Sequence, residues 1–105
     1  MRAISTRIGA KLRQRVKVRE HELTADEPKS HGGEDAGPSP QELLAASLAS
    51  CTAVTMEMYA ARKGWGIGEV AVDVDYEPAQ RGAPTRFVMK VSFPKELPEE
   101  QRERL

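Results

Sequence analysis

The chain has 105 residues, and its 16 Lys and Arg balance 16 Asp and Glu to a formal net charge of zero, so no global field argues for a nucleic-acid or membrane partner. A chain of this length makes one domain, residues 1–105, and such a domain buries only about two thirds of its unfolded surface. With one Cys, one Trp, two Tyr and two Phe, no intrachain disulfide can form and the core must be aliphatic and alanine-rich; the absence of a signal-peptide h-region or an apolar run of membrane length predicts a cytoplasmic, reducing location.

Charge is unevenly spread. Arg2, Arg7, Lys11, Arg13, Arg15, Lys17 and Arg19 precede every acid, and from Glu20 to Glu42 only Lys29 interrupts the acidic side chains. A basic, acid-free start is the pattern of a transit peptide or a polyanion-binding arm. The alternation of Arg13, Arg15, Lys17 and Arg19 with Gln14, Val16 and Val18 favours a strand with one solvated face instead. Residues Ala3 to Leu23 thus read as strand material bent into a hairpin at Gly9-Ala10, with Ile4, Ile8, Leu12, Val16 and Val18 turned inward. Thr24 to Pro38, rich in Gly, Pro and acids, reads as a loop.

From Ser39 to Gly64 the signals are those of one long helix. Ser39 is placed to cap it, Pro40 fits the first helical position, and Glu42 completes an S-x-x-E capping box. Arg62 and Lys63 complement the negative end, and Gly64 supplies the left-handed residue that stops it. The span is about 36 Å with no internal Gly or Pro. At 100° per residue Leu44, Leu48, Thr55 and Met58 share a stripe with Cys51, and apolar residues spread well beyond it. Such a helix is predicted to be buried on most sides, and so little chain cannot cover it. Oligomerisation is the expected remedy.

After a turn at Trp65 to Gly68, Glu69 to Glu77 alternates as a half-buried strand, with Val70, Val72, Val74 and Tyr76 on one face. Pro78 to Pro84 has the length of a hairpin connection, and Thr85 to Phe93 is its antiparallel partner, with Phe87, Met89, Val91 and Phe93 on one face. Leu97, Pro98, Glu99 and Glu100 open a helix that the chain leaves after a few residues. No repeat, phosphate-binding glycine loop or metal-spaced Cys/His pair is present, so no cofactor and no metal are expected.

A lone cysteine on an apolar stripe is ordinarily a small hydrophobe. Reactivity needs a cation near the thiol, because three turns into the helix the dipole gives little help. Arg13, Arg15 and Arg19 are the available stock, whereas Arg62 lies about 16 Å further along the axis.

The run GPSPQELLAASLASCTAVTMEMYAARKG, preceded by REHELTADEPKSHGGEDAGPSP, resembles the OsmC/Ohr family over about Arg19 to Val74, closest to the branch with R-x-H, D-x-P, GG-x-D-x-GPSP-x-ELL and C-T. The resemblance implies an α+β fold, with long central helices packed on antiparallel sheets and two subunits intertwined into a homodimer with interfacial sites. It implies that Cys51 is a peroxidatic thiol acting on small organic hydroperoxides, recycled by a thiol reductant; the balanced charge, separately, predicts no nucleic-acid or membrane partner. An arginine of the N-terminal strand region and a glutamate at the helix start assist in peroxide-reducing members. Arg19, in an R-x-H with His21, is the candidate for the first, and Gln41 stands where the glutamate would be; Glu42 lies about 100° away around the helix and reads as the cap. The family's resolving cysteine, toward the C-terminus, has no counterpart here, which points to a domain lacking the usual C-terminal part. Met56, Met58 and Tyr59 are candidate pocket residues. The competing reading is a non-catalytic dimeric stress or binding domain in which Cys51 is packed.

Overall fold

The computed structural model describes residues 1–79, 82 and 84–105. Its elements are β1 (Ile4–Arg7), β2 (Gln14–Val18), β3 (His21–Ala25), a short 3-10 turn (Lys29–His31), α1 (Pro40–Lys63), β4 (Ala71–Glu77), β5 (Arg86–Ser92) and α2 (Glu99–Arg104). The architecture is α+β, a long helix with antiparallel sheets, as expected. The chain divides into two compact units, residues 1–44 and 45–105.

The first unit is an antiparallel sheet in the order β1-β2-β3. The hairpin predicted from Ala3 to Leu23 is correct for β1 and β2, which pair from Ile4 with Lys17 to Arg7 with Gln14. A second turn was not legible. Val18 pairs with His21, so the chain reverses within Arg19-Glu20, and Arg19 takes a left-handed φ of 55°, a conformation that an arginine sequence does not announce. Along β2 the alternation holds: Arg15 and Lys17 are exposed and Gln14, Val16 and Val18 half-buried. Arg13 and Arg19 fall just outside the strand.

Residues 26–37 are ordered by a carboxylate rather than by apolar contacts. Asp26 is 1% exposed, and its Oδ1 accepts from the Glu27 N–H at 2.8 Å while Oδ2 accepts from Glu34 and Ala36, each at 3.1 Å. Burial pushes the Asp26 carboxyl up, but the amides of Ala36, Glu27 and Glu34 and the Arg13 charge outweigh it and hold it below the ordinary carboxylate value. The loop closes so tightly that a Cβ on Gly33 would overlap the Glu27 carbonyl oxygen, and one on Gly37 the Thr24 carbonyl oxygen. Glycine is required there by space.

The loop delivers Ser39 to the start of α1, where the capping box forms as predicted: Glu42 N–H donates to Ser39 Oγ at 3.2 Å, and Ser39 N–H donates to Glu42 Oε1 at 2.9 Å. The Ser39 donors hold the Glu42 carboxyl below its ordinary value.

In the second unit α1 ends in a Schellman motif. Trp65 N–H reaches Ala60 O at 2.8 Å and Gly64 N–H reaches Ala61 O at 3.1 Å, with Gly64 at φ 72°. Ala60, Ile67 and Leu97 form the core, with Trp65, Val70, Phe93 and Leu105 packed around it. β4 and β5 pair from Ala71 with Ser92 to Glu77 with Arg86, and Tyr76 meets Phe87 edge-on at 5.1 Å between centroids. The predicted connection, Pro78 to Pro84, lies partly outside the described residues. Along β4, Val72, Val74 and Tyr76 are half-buried and alternate with exposed residues, as predicted.

Two expectations are corrected. α1 is not buried on most sides: only Met56 and Ala60 are buried, and Leu44, Val54 and Met58 are 52%, 52% and 59% exposed. On the stripe carrying Cys51, Leu44, Thr55 and Met58 are exposed and Leu48 is half-buried, and the buried turn-to-turn row is Met56 and Ala60, four residues apart. Secondly, α1 is long and apolar enough by length and composition to cross a membrane, a test that a core helix of a soluble protein also passes.

Candidate functional site

Cys51 is exposed and lines an open groove of about 550 Å³ that lies wholly within the second unit. The helix contributes Cys51, Thr52, Thr55 and Met56, since positions i, i+1, i+4 and i+5 share one side. The opposite wall is Met89, Val91 and Phe93, successive same-face residues in and just beyond β5. Arg102 and Leu105 complete the lining. A cleft of this size holds a small organic molecule, and its lining is mostly apolar.

The sequence-predicted residues separate. Cys51 and Met56 line the groove, and Met58 and Tyr59 do not. Tyr59 instead packs edge-on against Trp65 at 5.7 Å with Lys63 5.8 Å from its ring centre, and Met58 is solvent-exposed. Within the single chain Cys51 is not packed in the core: its thiol is exposed. Arg19 and Gln41 belong to the first unit: Arg19 is an exposed turn residue between β2 and β3, and Gln41 is exposed in the first turn of α1. Glu42 is occupied as the cap. His21 opens β3, exposed.

Sequence reasoning missed Arg102, which lines the Cys51 groove. Its signal was faint: Arg102 and Leu105 are three apart, the spacing of one helix face, but nothing local tied that face to Cys51. Asp26 was missed as well, and the D-x-P spacing before two glycines was the available hint. Among the described residues, no group of three or more His, Cys, Asp or Glu is arranged to hold a metal.

Residues 32–105 match the family of OsmC-like proteins. The chain belongs to the OsmC-like family. Its fold is similar to a crystal structure from Psychrobacter arcticus 273-4, of a protein assigned to osmotic stress induction and the detoxification response. The TM-score is 0.81 at 25% identity, over 96% of this chain and 75% of that one. No curated protein matches the chain. In this OsmC-like chain the hydrogen bonds of Asp26 and the close contacts of Gly33 and Gly37 set the loop that leads to the Ser39 cap.

Proposed function

We propose that this OsmC-like chain serves in stress detoxification by reducing organic hydroperoxides with Cys51. The observation that carries the reading is the exposed thiol on the wall of an apolar groove of about 550 Å³, which offers an alkyl or aryl hydroperoxide both a body-binding surface and a nucleophile. The detoxification assignment of the similar Psychrobacter arcticus protein supports it.

In the reaction the Cys51 thiolate attacks the terminal peroxide oxygen. An S–O bond forms, the O–O bond breaks, and the alkoxide takes a proton from water to leave as the alcohol. Cys51 is left as sulfenic acid. A thiol reductant then attacks that sulfur, releasing water and forming a mixed disulfide, and a second thiol restores Cys51 and leaves as the disulfide. These 105 residues contain one cysteine, so the scheme assigns both reducing thiols to an added reductant. Arg102 supplies a positive charge to the groove. The supporting roles of Arg19, as a cation, and Gln41, as a hydrogen-bonding group, rest on family resemblance.

A homodimer is part of the same proposal. Only 11% of the apolar stretch of α1 is buried in the single chain, and Phe87, Val88 and Met89 of β5 are exposed. Apolar surface of that extent calls for a partner. The test is turnover of cumene hydroperoxide with dithiothreitol. The wild type is expected to turn over and Cys51→Ser to be inactive while keeping its circular dichroism spectrum and size; a wild type no faster than buffer contradicts the proposal.

A further inference from the structure

The first unit carries a second cleft, of about 500 Å³, that the peroxide scheme does not use. Lys11, Arg13 and Lys29 line it together with Gly32, Gly33 and Glu34. The three cations come from different stretches: Lys11 from the loop after β1, Arg13 from the residue before β2, and Lys29 from the 3-10 turn. The Asp26 charge acts on Arg13, and the lining itself holds one carboxylate, Glu34.

That carboxylate satisfies little of the charge. Arg13 Nη2 lies 3.7 Å from Glu34 Oε1, well beyond the roughly 2.7–2.9 Å of a charge-assisted hydrogen bond. Among the described residues the buried Arg13 Nε–H has no acceptor. Among the described residues neither Lys11 nor Lys29 has an ion-pair partner. Three like charges gathered in one concavity repel one another unless an anion joins them. The backbone of the loop that carries Lys29 and Glu34 is fixed by Asp26 and by the close approach of Gly33 to the Glu27 carbonyl. Gly32 and Gly33 contribute backbone to the lining.

We infer that this cleft binds a phosphate-type oxyanion, either free or as the phosphate group of a larger metabolite. A long polyanion fits less well, because Arg15 and Lys17, exposed along β2, do not line the cleft.

Isothermal titration of the whole chain at constant ionic strength, with inorganic phosphate in one arm and glucose 6-phosphate in the other, tests this. Saturable binding at about 1 mM or tighter is expected in at least one arm, and the arm that binds more tightly identifies the source. Lys11→Gln and Lys29→Gln are each expected to weaken binding about fivefold to tenfold. Glu34→Gln, which removes the competing carboxylate and keeps the backbone amide that serves Asp26, is expected to tighten it severalfold. Arg15→Gln should leave it unchanged. Absence of saturable binding in both arms overturns the inference, and so does an Arg15→Gln loss as large as that of Lys29→Gln, which would assign the effect to the basic strand as a whole.

Discussion

Gly33→Ala tests the claim that the Asp26 loop is a close-packed device rather than a linker. The added Cβ would lie 1.9 Å from the Glu27 carbonyl oxygen and 2.8 Å from Asp26 Oδ1, whereas carbon–oxygen contacts settle at about 3.3 Å or more. The loop must therefore withdraw by more than about 1 Å. Two backbone bonds sit at that point, Gly33 N–H to Pro28 O at 3.1 Å and Asp35 N–H to Glu27 O at 3.0 Å. Losing both costs about 2 kcal/mol at about 1 kcal/mol each, and overpacking adds about 1–2 kcal/mol. A total near 3 kcal/mol corresponds to a melting point lower by about 12–24 °C for a domain of this size. Circular dichroism melts measure it. Gly9→Ala is the control: Gly9 has φ +83°, but no atom of the described residues lies within 4 Å of where a Cβ would stand, so the backbone cost alone, about 1 kcal/mol, applies. A Gly33→Ala melting point within about 3 °C of wild type, or one no lower than that of Gly9→Ala, refutes the reasoning.

Four further outcomes are expected. Asp26 and Glu42 titrate below their ordinary values of 3.8 and 4.5 in the fold, so the stability they contribute is fully present above those values and is lost as pH falls through the lower folded ones; urea melts between pH 6 and pH 3 should show an acid limb that Asp26→Asn flattens. Ser39→Ala removes the hydroxyl that caps α1 and should cost about 1 kcal/mol in the same assay. Val54→Asp places a charge on the exposed apolar face of α1; light scattering should find a wild-type dimer whose dissociation constant rises about 100-fold in the variant, and a monomeric wild type at micromolar concentration would contradict the dimer. Arg102→Gln, in the Cys51 groove, should slow thiol oxidation about tenfold while leaving the melting point unchanged, because the side chain is exposed.

What was legible in the sequence was whatever is written locally. Ser39, Pro40, Glu42 and Gly64 bounded α1 to within a residue because capping is chemistry between near neighbours. The alternation of Val72, Val74 and Tyr76 gave β4 for the same reason. The turn at Arg19-Glu20 was hidden because neither residue is a turn former, which concealed β3. Asp26 was hidden because its amide partners lie 8 and 10 residues away, and no periodic pattern records such a bond. The exposed side of α1 was misjudged because helical periodicity identifies an apolar stripe without saying whether this chain or another covers it. For the site, Cys51 could be singled out by residue type, whereas Arg102 joins it only through the packing of residues far apart in the chain.

The central claim is that Cys51 is a peroxide-reactive thiol. Its most direct test is the intact mass of the reduced protein after brief exposure to a small excess of cumene hydroperoxide, with a sulfenic-acid trap present. The account predicts one trapped sulfenate per chain, located at Cys51, formed much faster than on free cysteine under the same conditions. A thiol that stays unmodified under excess hydroperoxide contradicts it.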